Sequence, residues 1–117
     1  MGDIQLARVY DAPPEGGRVM LVERLWPRGV RRADLHLDAW LKDVAPSTEL
    51  RKWFAHDPAK WGEFRDRYFA ELDAHPDAWQ PLLLDVPVTL LFSSRDRDHN
   101  NAVALRDYLI ERSSGPS

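Results

Sequence analysis

Two short apolar runs constrain this chain most: Val19-Met20-Leu21-Val22 and Val88-Thr89-Leu90-Leu91-Phe92. A run that is apolar at nearly every position suits a strand buried on both faces, as in parallel sheets. Each run ends in a dense polar loop. The first continues as Glu23-Arg24-Leu25-Trp26-Pro27-Arg28-Gly29, the second as Ser93-Ser94-Arg95-Asp96-Arg97-Asp98-His99-Asn100-Asn101. Ligands of open α/β sheets sit beyond the carboxyl ends of the strands, so these loops are where function is expected.

A chain of 117 residues supports one core and not two. Residues 1–112 read as one domain and 113–117 as a flexible tail. With 44% apolar and 30% charged residues, the composition argues against disorder. No apolar run approaches the roughly 18 residues of a membrane span. No apolar leader follows Met1, so no secretory signal is expected. The chain has no cysteine, which removes disulfides, thiol nucleophiles and thiolate metal sites. These features are compatible with a cytoplasmic protein. A net charge of −3 argues against nucleic-acid binding over the whole surface. It leaves room for a local patch at Arg24, Arg28, Arg31 and Arg32.

Ile4 to Val9 reads as a first strand, Asp11 to Gly17 as a turn rich in proline and glycine, and Val19 to Val22 as a second strand. The short connection favours a hairpin by spacing alone. Leu37, Trp40, Leu41 and Val44 fall at helical spacing up to Pro46. Ser47 suits the N-cap of a helix carrying Leu50, Trp53 and Phe54. Asp57-Pro58 restarts the chain with a cap and a first-turn proline. Trp61, Phe64, Tyr68 and Leu72 form one helical stripe, ended by His75-Pro76. Ala78, Trp79, Leu82 and Leu83 predict a further short helix. Asp96 or Asp98 can cap a last helix with Ala102, Leu105 and Leu109 inward, joined by Val103 and Ile110. The order predicts a small α/β domain, a short sheet covered by helices.

Arg24 and Arg28 flank Trp26-Pro27, and guanidinium forks match phosphate or carboxylate. The alternative is that these arginines pair with Glu23, Asp34 or Asp38 while Trp26 plugs the core. Ser93, Ser94 and Arg95 precede a helix N-terminus, whose free N–H groups favour an anion. Asn100 and Asn101 would complete that site with their amides, or Asp96, Asp98 and the asparagines would only cap the helix. His56, Asp57 and His99 are the groups suited to acid–base work. For His56-Asp57 the plainer reading is a helix end followed by a cap. The histidines lack zinc spacing, no phosphate-binding glycine loop is present, and Ser93 lies outside a nucleophile elbow. Trp40, Trp53 and Trp61 are expected in the core, with Trp26 bordering the site.

Several segments together resemble the DUF488 family in its small YeaO-like branch. They are Arg8-Val9-Tyr10-Asp11, Arg24-Leu25-Trp26-Pro27-Arg28-Gly29, Trp40-Leu41-Lys42, Ala45 to Phe54, His56-Asp57 and His99-Asn100-Asn101-Ala102. The resemblance runs from about Ile4 to Leu109. It implies a bacterial or archaeal, small cytoplasmic α/β domain of unknown function, with a mostly parallel sheet rather than a hairpin start. Other DUF488 branches carry cysteines in the loop corresponding to Ser93 to His99, so their thiol chemistry does not transfer. The branch usually has aspartate where this chain has Glu23.

The expectation is therefore a binding site for a small phosphate- or nucleotide-like anion in a cleft between the two loops. Arg24, Trp26, Arg28, Ser93, Ser94, Arg95, Asn100 and Asn101 would bind it. The alternatives are a nucleic-acid-binding or regulatory module built on the arginine cluster, and a non-catalytic interaction protein. The sequence names no cofactor.

Overall fold

A computed structural model describes residues 2–11 and 16–113. Four strands form one parallel sheet: β1 (Ile4–Arg8), β2 (Arg18–Leu21), β3 (Ala39–Trp40) and β4 (Val88–Phe92), in the order β1-β4-β2-β3. The helices are α1 (Thr48–Phe54), α2 (Trp61–Ala74), α3 (Pro76–Trp79) and α4 (Asn101–Ser113), with single 3-10 turns between several elements. Among the described residues, no helix is long and apolar enough to cross a membrane.

The unbroken apolar character of β4 follows from its place. It pairs with β1 on one side and β2 on the other, and all five of its residues are buried. Alternate side chains then serve two cores. Met20, Val22, Val88, Leu90 and Phe92 face a cluster with Leu50, Phe54, Phe64, Tyr68, Leu72, Leu105 and Tyr108 from the helices. Val9, Val19, Leu21 and Leu91 face the other way, against Trp26, Val30, Leu35, Leu37 and Trp40. Helices therefore cover one face, and the segment between β2 and β3 covers the other.

The parallel sheet agrees with the family resemblance and corrects the spacing argument for a hairpin. β1 and β2 are not even neighbours, because β4 lies between them. The segment from Val9 to Gly17 can span roughly 30 Å when extended, while a five-residue strand is only about 17 Å long. A short connection is thus long enough to return to the start of β2, two strand positions away. Gly17 ends it with φ +73°, and a Cβ there would meet the Pro87 carbonyl at 2.4 Å. Of the predicted turn, residues 12–15 lie outside the described residues, as do residues 114–117 of the predicted tail; Ser113 belongs to α4.

The helix expected over Leu37 to Val44 is instead β3 followed by a 3-10 turn at Lys42–Val44. Tertiary contacts decide it. The Asp38 carboxylate accepts the Val19 N–H at 2.7 Å, and Leu41 N–H donates to the Leu21 carbonyl. The Trp40 indole donates to the Glu23 carbonyl at 2.7 Å and meets Trp26 edge-on at 5.2 Å. In α4, Val103 is half-buried and Ile110 exposed, while Ala104 and Tyr108 face inward beside the expected Ala102, Leu105 and Leu109.

Leu90, fully buried at the centre of β4, gives a direct test of this architecture. Leu90→Ala is expected to destabilise the fold by about 2–5 kcal/mol, read as a lower urea midpoint at unchanged slope.

Candidate functional site

Because every strand runs the same way, all strand ends that precede the polar loops lie on one sheet edge. There the two loops meet. The Glu23 carboxylate accepts the Ser93 backbone N–H and the Ser93 hydroxyl, the latter at 2.8 and 3.0 Å. The Asn101 amide donates to the Val22 carbonyl at 2.6 Å. A cavity of about 300 Å³ opens beside these contacts. It is lined by both loops and by Ala45, Pro46, Arg51, Phe54, His56 and Phe64.

The segment before α1 is held from three directions, which fixes one wall. Arg24 donates from Nε to the Pro46 carbonyl and from Nη2 to the Ala45 carbonyl, at 3.2 and 3.1 Å. Tyr68 donates to the Val44 carbonyl; burial, and then the Glu71 carboxylate, push its hydroxyl well above the ordinary tyrosine range, so it stays a donor. Glu71 accepts the Ser47 N–H and hydroxyl at 2.8 and 2.6 Å, while the Ser47 oxygen caps α1 by accepting Leu50 N–H. With α1 so anchored, Arg51 and Phe54, one turn apart, reach the same cavity. After α1, Ala55 and His56 both adopt positive φ, 48° and 57°. Two such residues in succession are costly for L-amino acids, and this bend leaves His56 in the cavity wall.

Of the predicted ligand-binding residues, Arg24, Trp26, Arg28, Ser93, Ser94, Asn100 and Asn101 line the cavity; Arg95 does not. Several of them are already engaged. Asn100 is the true cap of α4: its Oδ1 accepts Val103 N–H and its Nδ2 donates to the Asp96 carbonyl. The Asp96 carboxylate instead folds the loop, accepting the N–H groups of Asp98 and His99. Those N–H donors, Asp98 foremost, hold its carboxyl below the ordinary range. In the predicted cradle of loop N–H groups, those of Asp98 and His99 are thereby satisfied from within, and Asp96 N–H also donates to Ser94 Oγ. Arg51, which was not among the residues expected to bind, is the addition. Among the described residues, the guanidinium groups of Arg28 and Arg51 have no hydrogen-bond or ion-pair partner.

The three residues suited to acid–base work do not assemble. His56 lines the cavity, but Asp57 caps the turn at Pro58–Lys60 and His99 sits between Asp96 and the Trp61 ring. The arginine cluster is also divided. Arg31 pairs with Asp34 at 2.9 Å, and Arg32 lies over Trp26 and Trp40. No group of three or more His, Asp or Glu among the described residues is placed to hold a metal ion.

A third strand end braces the second loop. Asp11, after β1, takes both Nη groups of Arg97 at 2.8 and 2.9 Å and accepts the Arg8 N–H. The Arg97 hydrogen bond, and then the Arg8 N–H, pull its carboxyl down to about 2. A lowered folded-state pKa means stabilisation that is present above the ordinary value and lost as pH falls towards 2. NMR titration of Arg97→Ala is expected to return the Asp11 carboxyl towards its ordinary value and to flatten the loss of stability in that acid window.

The Escherichia coli K12 protein described as uncharacterized protein YeaO is 44% identical over 112 residues, covering 92% of this chain and 96% of that one. The uncharacterized proteins Mb3100c of Mycobacterium bovis and Rv3073c of Mycobacterium tuberculosis are each 49% identical over 70 residues, 59% of either chain. No solved structure matches the chain. Residues 3–115 match the family model described as the inactive DUF488-N3 subclade, and the chain belongs to that family.

Proposed function

We propose that this domain binds a small anion in the cavity between the loops after β2 and β4. The observation that carries the reading is the pair of guanidinium forks, Arg28 and Arg51, that line one cavity and have no partner among the described residues. Such forks match the oxygens of phosphate or carboxylate through paired charged hydrogen bonds. Arg24 adds positive charge from the inner wall while bracing the Ala45-Pro46 carbonyls. Ser94 and Asn101 supply polar atoms at the rim of the same space.

The proposal is for binding and assigns no reaction. The description of the family as inactive supports that choice. So does the separation of Asp57 and His99 from the cavity. The nucleic-acid reading is weaker, because Arg31 and Arg32 are engaged within their own segment and the net charge is −3.

Thermal-shift measurements against inorganic phosphate, sulfate and nucleotides test the reading. A ligand at 100 times its dissociation constant adds about 2.7 kcal/mol of stability. A rise in melting temperature that disappears in both Arg28→Ala and Arg51→Ala is expected. An equal rise in wild type and both variants would place the anion elsewhere.

A further inference from the structure

We propose that the cavity takes the dianionic phosphate of a phosphomonoester whose other end is a single flat ring system. This rests on the anion-binding reading and narrows it by charge, shape and size.

The charge comes first. Arg24, Arg28 and Arg51 line the cavity, and among the described residues Glu23 is the one acidic side chain in its lining. Glu23 is held in the wall by the Ser93 N–H and hydroxyl. The formal charges leave an excess of two positive. A phosphomonoester carries about −1.5 to −2 at neutral pH, whereas a phosphodiester carries one negative charge and leaves part of that excess unmatched.

Apolar side chains share the lining with these polar groups. Leu25, Trp26, Phe54 and Phe64 line the same space as the arginines; Phe54 and Phe64 are buried and stacked on each other, so the half-buried Trp26 is the ring with open surface. Aromatic walls next to cationic forks favour a ligand that pairs an anionic end with a ring able to stack. Leu25 remains 58% exposed, a large apolar side chain in solvent that a seated ring would cover. The size sets the upper bound. At about 300 Å³ the cavity sits at the lower end of the range for small-molecule sites. That is space for one phosphate and one ring system. A nucleoside monophosphate and a phosphorylated pyridine share this chemistry.

Calorimetric titration of the full chain at low ionic strength separates the possibilities. The probes are inorganic phosphate, ribose 5-phosphate, AMP, pyridoxine 5′-phosphate and 3′,5′-cyclic AMP. AMP or pyridoxine phosphate is expected to bind roughly tenfold or more tightly than phosphate and ribose 5-phosphate, and the tighter of the two identifies the source. Cyclic AMP, a singly charged diester, is expected to bind roughly tenfold less tightly than AMP. Arg51→Ala, an exposed position outside both cores, is expected to lose roughly tenfold or more in affinity for the ring phosphate. Equal affinity for ring-bearing and ring-free phosphates overturns the ring assignment, and equal affinity for AMP and cyclic AMP overturns the dianion assignment. Absence of binding by every anion would instead reject the anion site itself.

Discussion

One carboxylate organises the edge of this molecule that carries the two polar loops. Glu23 leaves the end of β2 and accepts both the N–H and the hydroxyl of Ser93 at the end of β4. A backbone N–H and a hydroxyl at a half-buried position need partners, and Glu23 satisfies both with one side chain. The contact fixes the distance between the two polar loops and so defines the cavity between them. It depends in turn on β4 lying directly beside β2. In that order, adjacent parallel strands end side by side and present their loops to each other.

The polar residues around the cavity divide by what they already hold. Arg24, Asn100, Asn101 and Glu23 make hydrogen bonds to backbone groups and shape the walls. Arg28 and Arg51 bring charge without a partner among the described residues. Glu71, Tyr68 and Arg24 converge on the segment from Val44 to Ser47, which sets where α1, and hence Arg51, can lie. The Asp11–Arg97 pair braces the far loop from β1. Few side chains are free to meet a ligand, and most of the polar inventory supports them.

β4 was legible in the sequence because burial on both faces requires an unbroken apolar run, and Ser47 and Asp57 were legible because capping is local chemistry. β3 was hidden. Leu37, Trp40, Leu41 and Val44 fit a helical period, and it takes contacts distant in sequence, Asp38 to Val19, Leu41 to Leu21 and Trp40 to Trp26 and the Glu23 carbonyl, to override it. The two polar loops were identifiable as a candidate site, but their contact was not, since nothing local pairs Glu23 with Ser93. His56, Asp57 and His99 were grouped by residue type. Their separation arises from the left-handed bend at Ala55 and His56 and from the Asp96 loop. Arg51 had a signal in its one-turn spacing from Phe54, but a charged residue on a short helix ordinarily reads as surface.

The most direct test of the account is whether one ligand perturbs both loops at once. The measurement is a ¹⁵N-resolved NMR titration with inorganic phosphate at low salt. The account predicts that the amides of Arg24, Arg28, Arg51, Ser94 and Asn101 shift together along a single saturation curve. Shifts confined to one loop, or scattered over other arginines such as Arg31 and Arg95, would contradict it.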